Sequence, residues 1–125
     1  MRRIADGLWQ LGGFPPNLFN VYLLGDVLVD AATRWGFSRI WRQLRDRPIR
    51  EVALTHCHPD HQGVAAALCN RLGIPLACHE ADVAAMEGRE PMQPDNGILR
   101  LGVRLWAGPP LTDMRVLDRF IARLP

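Results

Sequence analysis

The sequence predicts a single domain of the mixed α/β class, spanning residues 1–125, and three observations support this fold class. The chain has 125 residues, close to the commonest domain length and too short for two domains. Hydrophobic residues make up 48% and charged residues 22%, values near the globular average that exclude disordered, collagen-like and coiled-coil proteins. Strand patterns also alternate with helix patterns, in at least two strand–helix–strand units.

The first third of the chain predicts three strands. Residues 7–11 alternate apolar with small or polar residues and end at a pair of glycines, which is typical of a strand. Two further apolar runs, residues 20–24 and 27–30, flank Gly25 and Asp26, a pair that favours a two-residue hairpin turn. Because both runs are almost continuously apolar, we expect this sheet to be buried on both faces.

The middle of the chain predicts a helix, a strand and a second helix. Apolar residues at helical spacing place the first helix over residues 36–45, and Pro48 ends it. Residues 49–54 resume a strand. An alanine-rich helix is expected over residues 62–72, with Gly73 as its C-terminal stop.

The last third predicts shorter elements. Residues 76–78 are a short buried strand, and residues 81–86 a short helix. Gly, Pro, Asp and Asn favour a loop over residues 88–97. An alternating pattern predicts a strand over residues 98–106, and the spacing of apolar residues predicts an amphipathic helix over residues 113–124.

The charge and the cysteine content exclude some classes of function and indicate the cellular compartment. The 15 basic residues and 13 acidic residues give a net charge of +2, which predicts neither nucleic-acid nor membrane binding. The arginines of the first helix are interpreted as a solvated surface, because Asp46 and Glu51 lie among them. Cys57, Cys69 and Cys78 are odd in number and lack a CxxC spacing, which favours a reducing compartment over a disulfide framework. With no signal-peptide or membrane-spanning pattern, we expect a cytoplasmic protein.

Residues 55–63, with the sequence THCHPDHQG, carry the candidate chemistry. Three of the four histidines and one carboxylate lie within six residues, on the turn between a buried strand and a helix. His56 and His58 occupy alternate positions of an extended segment and can bind one metal ion together. A bend at the next proline lets Asp60 and His61 hold a second ion. Imidazole and carboxylate ligands suit zinc, iron or manganese rather than calcium.

Simpler interpretations of individual residues stay open at this point. Asp60 can be a helix N-cap. Asp30 can either orient a ligand histidine or cap the end of its strand. Cys57 points away from the two flanking histidines and is interpreted as a packed residue, as are the other two cysteines. His79 is interpreted as a loop histidine near the pocket.

The THCHPDHQG segment resembles the H-x-H-x-D-H motif of the metallo-β-lactamase superfamily, which is highly specific. The hairpin that ends at Asp30 resembles the hairpin before that family's inward-pointing aspartate. Residues 74–82 are similar to a stretch of its glyoxalase II-like and general hydrolase branches. The resemblance covers residues 7–82 well. It implies an αββα sandwich with metal ions at the edge of its two sheets, represented here by its N-terminal half.

By this resemblance, His56 and His58 bind the first ion, and Asp60 and His61 bind the second. The ions in the family's complete site are two zinc ions, with iron or manganese as alternatives. The family adds a further histidine, a bridging aspartate and a last histidine downstream. After His61 this chain has only His79, at a position that matches a non-ligand. We therefore expect a truncated domain that lacks the C-terminal metal ligands.

The resemblance implies a metal-dependent hydrolase of an ester, thioester, lactone or lactam, acting through metal-activated hydroxide. Asp60 would be the catalytic residue that orients the water and accepts a proton. The rival interpretation is an inactive or split metal-binding remnant, completed by a C-terminal half or by self-association. Whether the isolated chain is an enzyme is left open. The expected partner is a small-molecule substrate, with no nucleic acid and no membrane.

Overall fold

The computed structural model describes residues 1–91, which contain both strands and helices. The strands are β1 (Arg2–Ala5), β2 (Leu8–Gln10), β3 (Tyr22–Leu24), β4 (Val27–Val29), β5 (Glu51–Ala53) and β6 (Leu76–Ala77). The helices are α1 (Phe37–Leu44), α2 (Pro59–Gln62), α3 (Ala65–Leu72) and α4 (Val83–Met86), with a 3-10 helix at Glu80–Asp82 before α4. The mixed α/β class predicted from the sequence is therefore the class observed.

The strands of the described part form one sheet in which neighbours in sequence are neighbours in space. β1 to β4 pair antiparallel, whereas β4 with β5 and β5 with β6 pair parallel. Parallel pairing requires a crossover, and the helices α1 and α3 lie in the two crossovers. The carboxyl ends of β4, β5 and β6 therefore meet at one edge of the sheet, and residues 55–63 leave the sheet at that edge.

One face of the sheet carries the core. The register places Leu23 opposite Leu28 and Leu28 opposite Val52, and each of the three side chains is at most 1% exposed. Ile40 of α1 and Leu68 of α3 belong to the same hydrophobic cluster. Full burial of a side chain of this size contributes about 1.5–3 kcal/mol, so this face anchors the helices to the sheet.

The opposite face is only partly covered, so the expectation of a sheet buried on both faces is wrong for residues 1–91. Leu24 is 49% exposed. Tyr22, Val27 and Val29 are half-buried. An apolar run shows that a strand can be buried on both faces, but it does not supply the element that covers the second face. Here α1 and α3 pack on the face that contains Leu28.

Several predicted elements are present with shorter bounds. The hairpin across Gly25 and Asp26 joins β3 to β4, and the predicted first helix is α1. Gly73 ends α3 in the left-handed conformation at φ +66°, as its C-cap role predicts. β1 is absent from the sequence prediction because its four residues, RRIA, are all exposed and carry no apolar alternation.

The prediction of one continuous helix over residues 62–72 is wrong. The structure has two helices, α2 and α3, separated by Gly63 and Val64. The amide of Gly63 donates to the carbonyl of Ala32 at 2.8 Å, and the amide of Val64 donates to the carbonyl of Ala31 at 3.3 Å. Because these amides bond to residues before α1, the helical ladder is interrupted.

The short helix predicted at residues 81–86 is a 3-10 turn that continues into α4. The strand predicted at residues 98–106, the helix at residues 113–124 and most of the loop at residues 88–97 lie outside the described residues. Within residues 1–91, every helix is too short or too polar to cross a lipid bilayer.

Candidate metal centre

Residues 55–63 turn sharply as they pass from β5 into α2. His58 has extended backbone at φ −80° and ψ 152°, and it occupies the N-cap position of α2. Pro59 follows at the first helical position, where its fixed φ suits the helix and its missing N–H leaves no donor unsatisfied. The motif is thus an extended segment followed by a helical turn, as the sequence predicts.

The three imidazole rings of the motif lie against one another. The ring centroids of His56 and His58 are 4.5 Å apart, with the planes nearly perpendicular at 82°. Those of His56 and His61 are 3.9 Å apart. His79 has a different role, because its Nδ1 accepts a hydrogen bond from the amide of Ala81 at 3.1 Å and caps the 3-10 helix.

Asp30 contacts His61 directly. Its Oδ2 accepts a hydrogen bond from Nδ1 of His61 at 2.8 Å, and its Oδ1 accepts from the backbone amide of Thr55 at 2.9 Å. The Thr55 hydroxyl lies 3.0 Å from both carboxylate oxygens. Because a carboxylate only accepts, Nδ1 of His61 carries the ring proton and Nε2 of the neutral ring keeps its lone pair. Of the two interpretations of Asp30, the contact supports the one in which it orients a histidine.

Asp60 faces the other nitrogen of His61. Its Oδ2 lies 3.4 Å from Nε2 of His61. Two donor atoms bound to one tetrahedral zinc ion at about 2.0–2.2 Å lie roughly 3.3–3.6 Å apart, so this pair has the spacing of two ligands of one ion. The N-cap interpretation of Asp60 is wrong, because His58 occupies the N-cap position and Asp60 lies inside the first turn.

The protonation states at the site follow from its contacts. Burial lowers the pKa of His56, and the neighbouring imidazoles of His61 and His58 lower it further. The hydrogen bond to Asp30 raises the pKa of His61 against the opposing effect of burial. Burial raises the pKa of Asp30, but the hydrogen bonds from His61 and Thr55 outweigh burial and hold this pKa below 3.8. At neutral pH Asp30 is therefore a carboxylate and His56 is the neutral imidazole that metals bind.

The donor types fit a metal ion, but the described residues do not complete a site. Imidazole nitrogen and carboxylate oxygen are the ligands that zinc and similar ions take. Among residues 1–91, however, no group of three or more His, Cys, Asp or Glu side chains is placed so that it could hold one ion. A catalytic zinc ion is usually held by three protein ligands.

The three cysteines pack in the hydrophobic core, as predicted. Cys57 and Cys78 are buried in the main cluster, and Cys69 packs against it. Burial raises the pKa of the Cys57 and Cys69 thiols to about 11 each. Because a metal ligand must be the thiolate, these protonated thiols are poor ligands at neutral pH.

Two residues of the motif have surroundings that the sequence analysis did not predict. The hydroxyl of Thr55 lies 3.0 Å from Nδ1 of His56 as well as contacting Asp30. Gln62 is only 6% exposed, and its Oε1 has no hydrogen-bond partner in the described part of the chain. Because Thr55 directly precedes His56 in the sequence, its role as a hydrogen-bonding neighbour of the motif could have been predicted. No periodicity in the sequence marks Gln62 as buried.

The family model of the metallo-β-lactamase superfamily matches residues 17–122, which is most of the chain. The chain belongs to the metallo-β-lactamase superfamily. The family predicted from the THCHPDHQG motif is thereby confirmed. None of the curated protein sequences matches this superfamily member significantly.

Several solved metallo-β-lactamases are similar to this superfamily member. One from Cronobacter sakazakii, described by its HARLDQ motif, is 24% identical with a TM-score of 0.68 and covers 91% of this chain and 45% of its own. A subclass B3 enzyme of Bradyrhizobium japonicum is 22% identical with a TM-score of 0.69, over 94% and 44% of the two chains. A class B3 di-zinc enzyme from an Alaskan soil metagenome is 19% identical with a TM-score of 0.67, again over 94% and 44%.

These likenesses show the fold. The chain spans less than half the length of each of the three solved structures. The prediction of a metallo-β-lactamase fold, represented by about half of its usual length, is confirmed. The assignment of His56, His58, Asp60 and His61 as metal ligands stays a prediction, although the structure brings these residues together.

Proposed function

We propose that this protein supplies part of the active site of a metal-dependent hydrolase, with His56, His58, Asp60 and His61 as metal ligands. The observation that carries the proposal is the contact of three imidazole rings at the carboxyl end of β5, with a carboxylate 3.4 Å from one of them. Membership of the metallo-β-lactamase superfamily supports the hydrolase class. Zinc is the proposed metal, and a similar solved structure is described as a di-zinc enzyme.

Each residue has a distinct proposed role. Asp30 holds the proton of His61 on Nδ1, which leaves the Nε2 lone pair available to bind an ion. His56 is a neutral imidazole and can donate the lone pair of a ring nitrogen to a metal ion. A metal ion held by these residues would supply Lewis acidity and lower the pKa of a water molecule. Asp60 would orient that water and accept a proton at its carboxylate. The proposed substrates contain an ester, thioester, lactone or lactam carbonyl.

The missing ligands are proposed to come from a C-terminal half or from a second copy of this chain. Two features of residues 1–91 support the proposal that groups outside this segment complete the site. Within residues 1–91 the buried Oε1 of Gln62 has no donor, and an unsatisfied buried group costs about 1–3 kcal/mol. The second face of the sheet also leaves Leu24 half-exposed. We place the protein in the cytoplasm, in keeping with three unpaired cysteines.

Metal retention tests the proposal. The purified chain is dialysed against metal-free buffer and its zinc content is measured by elemental mass spectrometry, for wild type, His58→Ala and His79→Ala. We expect wild type and His79→Ala to retain zinc and His58→Ala to lose it, because His79 caps the 3-10 helix through its Nδ1 and is not one of the proposed ligands. If wild type holds no more zinc than His58→Ala, this chain cannot hold the metal alone or by self-association, and the proposed site belongs to a longer protein.

Hydrolysis is tested separately on the same three proteins. A generic thioester, a lactone and a β-lactam are assayed with added zinc, and size-exclusion chromatography with light scattering reports the oligomeric state. Turnover by a dimeric wild type that is lost in His58→Ala would identify a second copy as the source of the missing ligands. Zinc retention with no metal-dependent turnover above His58→Ala would overturn the enzyme proposal for the isolated chain.

A further inference from the structure

We infer that Gly63 is a positioning residue, because the absence of a side chain at this position lets residues 30–34 lie against the motif and holds His61 on Asp30. The inference rests on the proposed function only in that His61 is a proposed metal ligand. The contacts themselves involve no metal. Gly63 lies in the break between α2 and α3, two residues after His61.

The backbone of residues 32–34 occupies the space that a side chain at Gly63 would need. A Cβ atom at Gly63 would lie 2.3 Å from the carbonyl carbon of Thr33. It would lie 2.4 Å from the carbonyl oxygen of Ala32 and 2.4 Å from the amide nitrogen of Arg34. Non-bonded contacts of carbon are normally about 3.5 Å or longer. Because all three atoms belong to the backbone, no side-chain rotation relieves the overlap, and the segment itself must move.

Three backbone hydrogen bonds join this segment to the motif. The amide of Ala31 donates to the carbonyl of His61 at 2.6 Å. The amide of Gly63 donates to the carbonyl of Ala32 at 2.8 Å, and the amide of Val64 donates to the carbonyl of Ala31 at 3.3 Å. Ala31 and Ala32 are 0% exposed, so these bonds are shielded from water while the two segments are in contact.

The same segment determines where the Asp30 carboxylate lies. Asp30 and Ala32 have left-handed backbone at φ +62° and +48°, which is uncommon for residues with a side chain. Such conformations persist where the surrounding contacts enforce them, here the bonds to His61 and Gly63. A displacement of Ala31 and Ala32 therefore shifts the neighbouring Asp30. The 2.8 Å hydrogen bond between Asp30 and Nδ1 of His61 is lost with it.

The test compares Gly63→Ala with the matched control Gly73→Ala in the full chain without metal. Gly73 has φ +66° and nothing within 4 Å of an added Cβ, so alanine there strains the backbone without touching the motif. Long-range ¹H–¹⁵N NMR at alkaline pH reports which nitrogen of the neutral His61 ring is protonated. We expect the Nδ1-protonated form in wild type and Gly73→Ala and its loss in Gly63→Ala. A folded Gly63→Ala protein with an unchanged His61 signature would overturn the inference.

A second measurement needs only the wild-type protein, so it applies even if Gly63→Ala fails to fold. Hydrogen exchange is followed for the amides of Ala31 and Gly63 and for the Nδ1 proton of His61. We expect the three protons to give the same opening free energy once each rate is corrected for its intrinsic exchange rate, because one opening exposes them all. Rapid exchange of both amides while the His61 proton stays protected would overturn the inference. Neither readout uses a metal or a substrate. The proposed function can therefore fail while this inference holds, and this inference can fail while the proposed function holds.

Discussion

Nδ1 of His61 lies 2.8 Å from Oδ2 of Asp30, although 31 positions separate the two residues in the sequence. Asp30 directly follows β4, and His61 lies on the helix that follows β5. The hydrogen bond therefore links the carboxyl ends of two adjacent parallel strands. The candidate metal centre is built across this strand pair and not by the THCHPDHQG motif alone.

Asp30→Asn is expected to lower the free energy of unfolding by about 1.5–3 kcal/mol, the usual contribution of a hydrogen bond to a charged group. Asparagine has nearly the same size and tolerates the left-handed backbone at this position. Zinc affinity is expected to fall about 10- to 100-fold, because Asp30 orients a proposed ligand. Urea titration and competition with a zinc chelator measure the two effects.

Asp26→Asn is the control for Asp30→Asn. Its carboxylate pairs with Arg50 at 3.0 Å on the surface, where such pairs contribute less than about 1 kcal/mol. Equal losses of stability in the two variants would contradict the role assigned to Asp30.

The Asp30–His61 pair is expected to stabilise the fold in a defined pH window. Because the pKa of Asp30 is lowered, its contribution is present above 3.8 and is lost as the pH falls through the lower folded value. Because the pKa of His61 is raised, its contribution is present below 6.5 and is lost as the pH rises through the higher folded value. The difference in unfolding free energy between wild type and His61→Gln is therefore largest between these two values.

Urea titrations of both proteins across this pH range, in metal-free buffer, check the expectation. His56 has the opposite effect, because its lowered pKa removes stability as the pH falls below 6.5. Comparing wild type with His61→Gln, both of which contain His56, largely cancels that effect. A difference that grows as the pH rises above 6.5 would contradict the assignment.

The parts of the fold that could be predicted have local causes. The hairpin at Gly25 and Asp26 and the helix α1 follow from turn residues and helical spacing within a few positions. β1 has no such signal, because its residues are exposed and its pairing depends on β2. The break between α2 and α3 was missed because its cause is the carbonyl groups of Ala31 and Ala32, which are distant in the sequence.

The candidate site also has a part that could be predicted from local sequence and a part that could not. Its three histidines could be predicted as neighbours, since six consecutive positions across one turn leave them little room to separate. The partner of Asp30 could not be predicted, because a strand-end aspartate can cap its own strand or reach another element. The burial of Gln62 and the close approach at Gly63 also depend on tertiary packing. The pattern of hydrophobic residues along the sequence does not report such contacts.

Leu28→Ala and Leu24→Ala compare the two faces of the sheet. Leu28 is 0% exposed, and its truncation is expected to cost about 2–5 kcal/mol through lost burial and a cavity. Leu24 is 49% exposed, and its truncation is expected to cost less than about 1 kcal/mol in the monomer. Chemical denaturation measures both. If Leu24→Ala destabilises the chain as much as Leu28→Ala, the second face is covered in solution.

Cysteine alkylation is expected to be slow in the folded protein. The thiols of Cys57 and Cys69 have pKa values of about 11 instead of 9.0, so at mildly alkaline pH their thiolate fraction is about 100-fold lower than in the unfolded chain. Iodoacetamide labelling with and without urea, followed by peptide mass spectrometry, gives the rate at each site. A folded-state rate at Cys57 within about threefold of the unfolded rate would contradict its packed position.

The order of strand pairing also determines when the candidate metal centre forms during folding. β1 to β4 pair with their immediate neighbours in sequence, whereas β4 and β5 join Val27 to Glu51. Pairings between distant residues close more slowly. Because the Asp30–His61 bond spans that pairing, Asp30→Asn should speed unfolding and leave the folding rate nearly unchanged in stopped-flow measurements. The candidate metal centre is thus expected to form late in folding, after the parallel strands have paired.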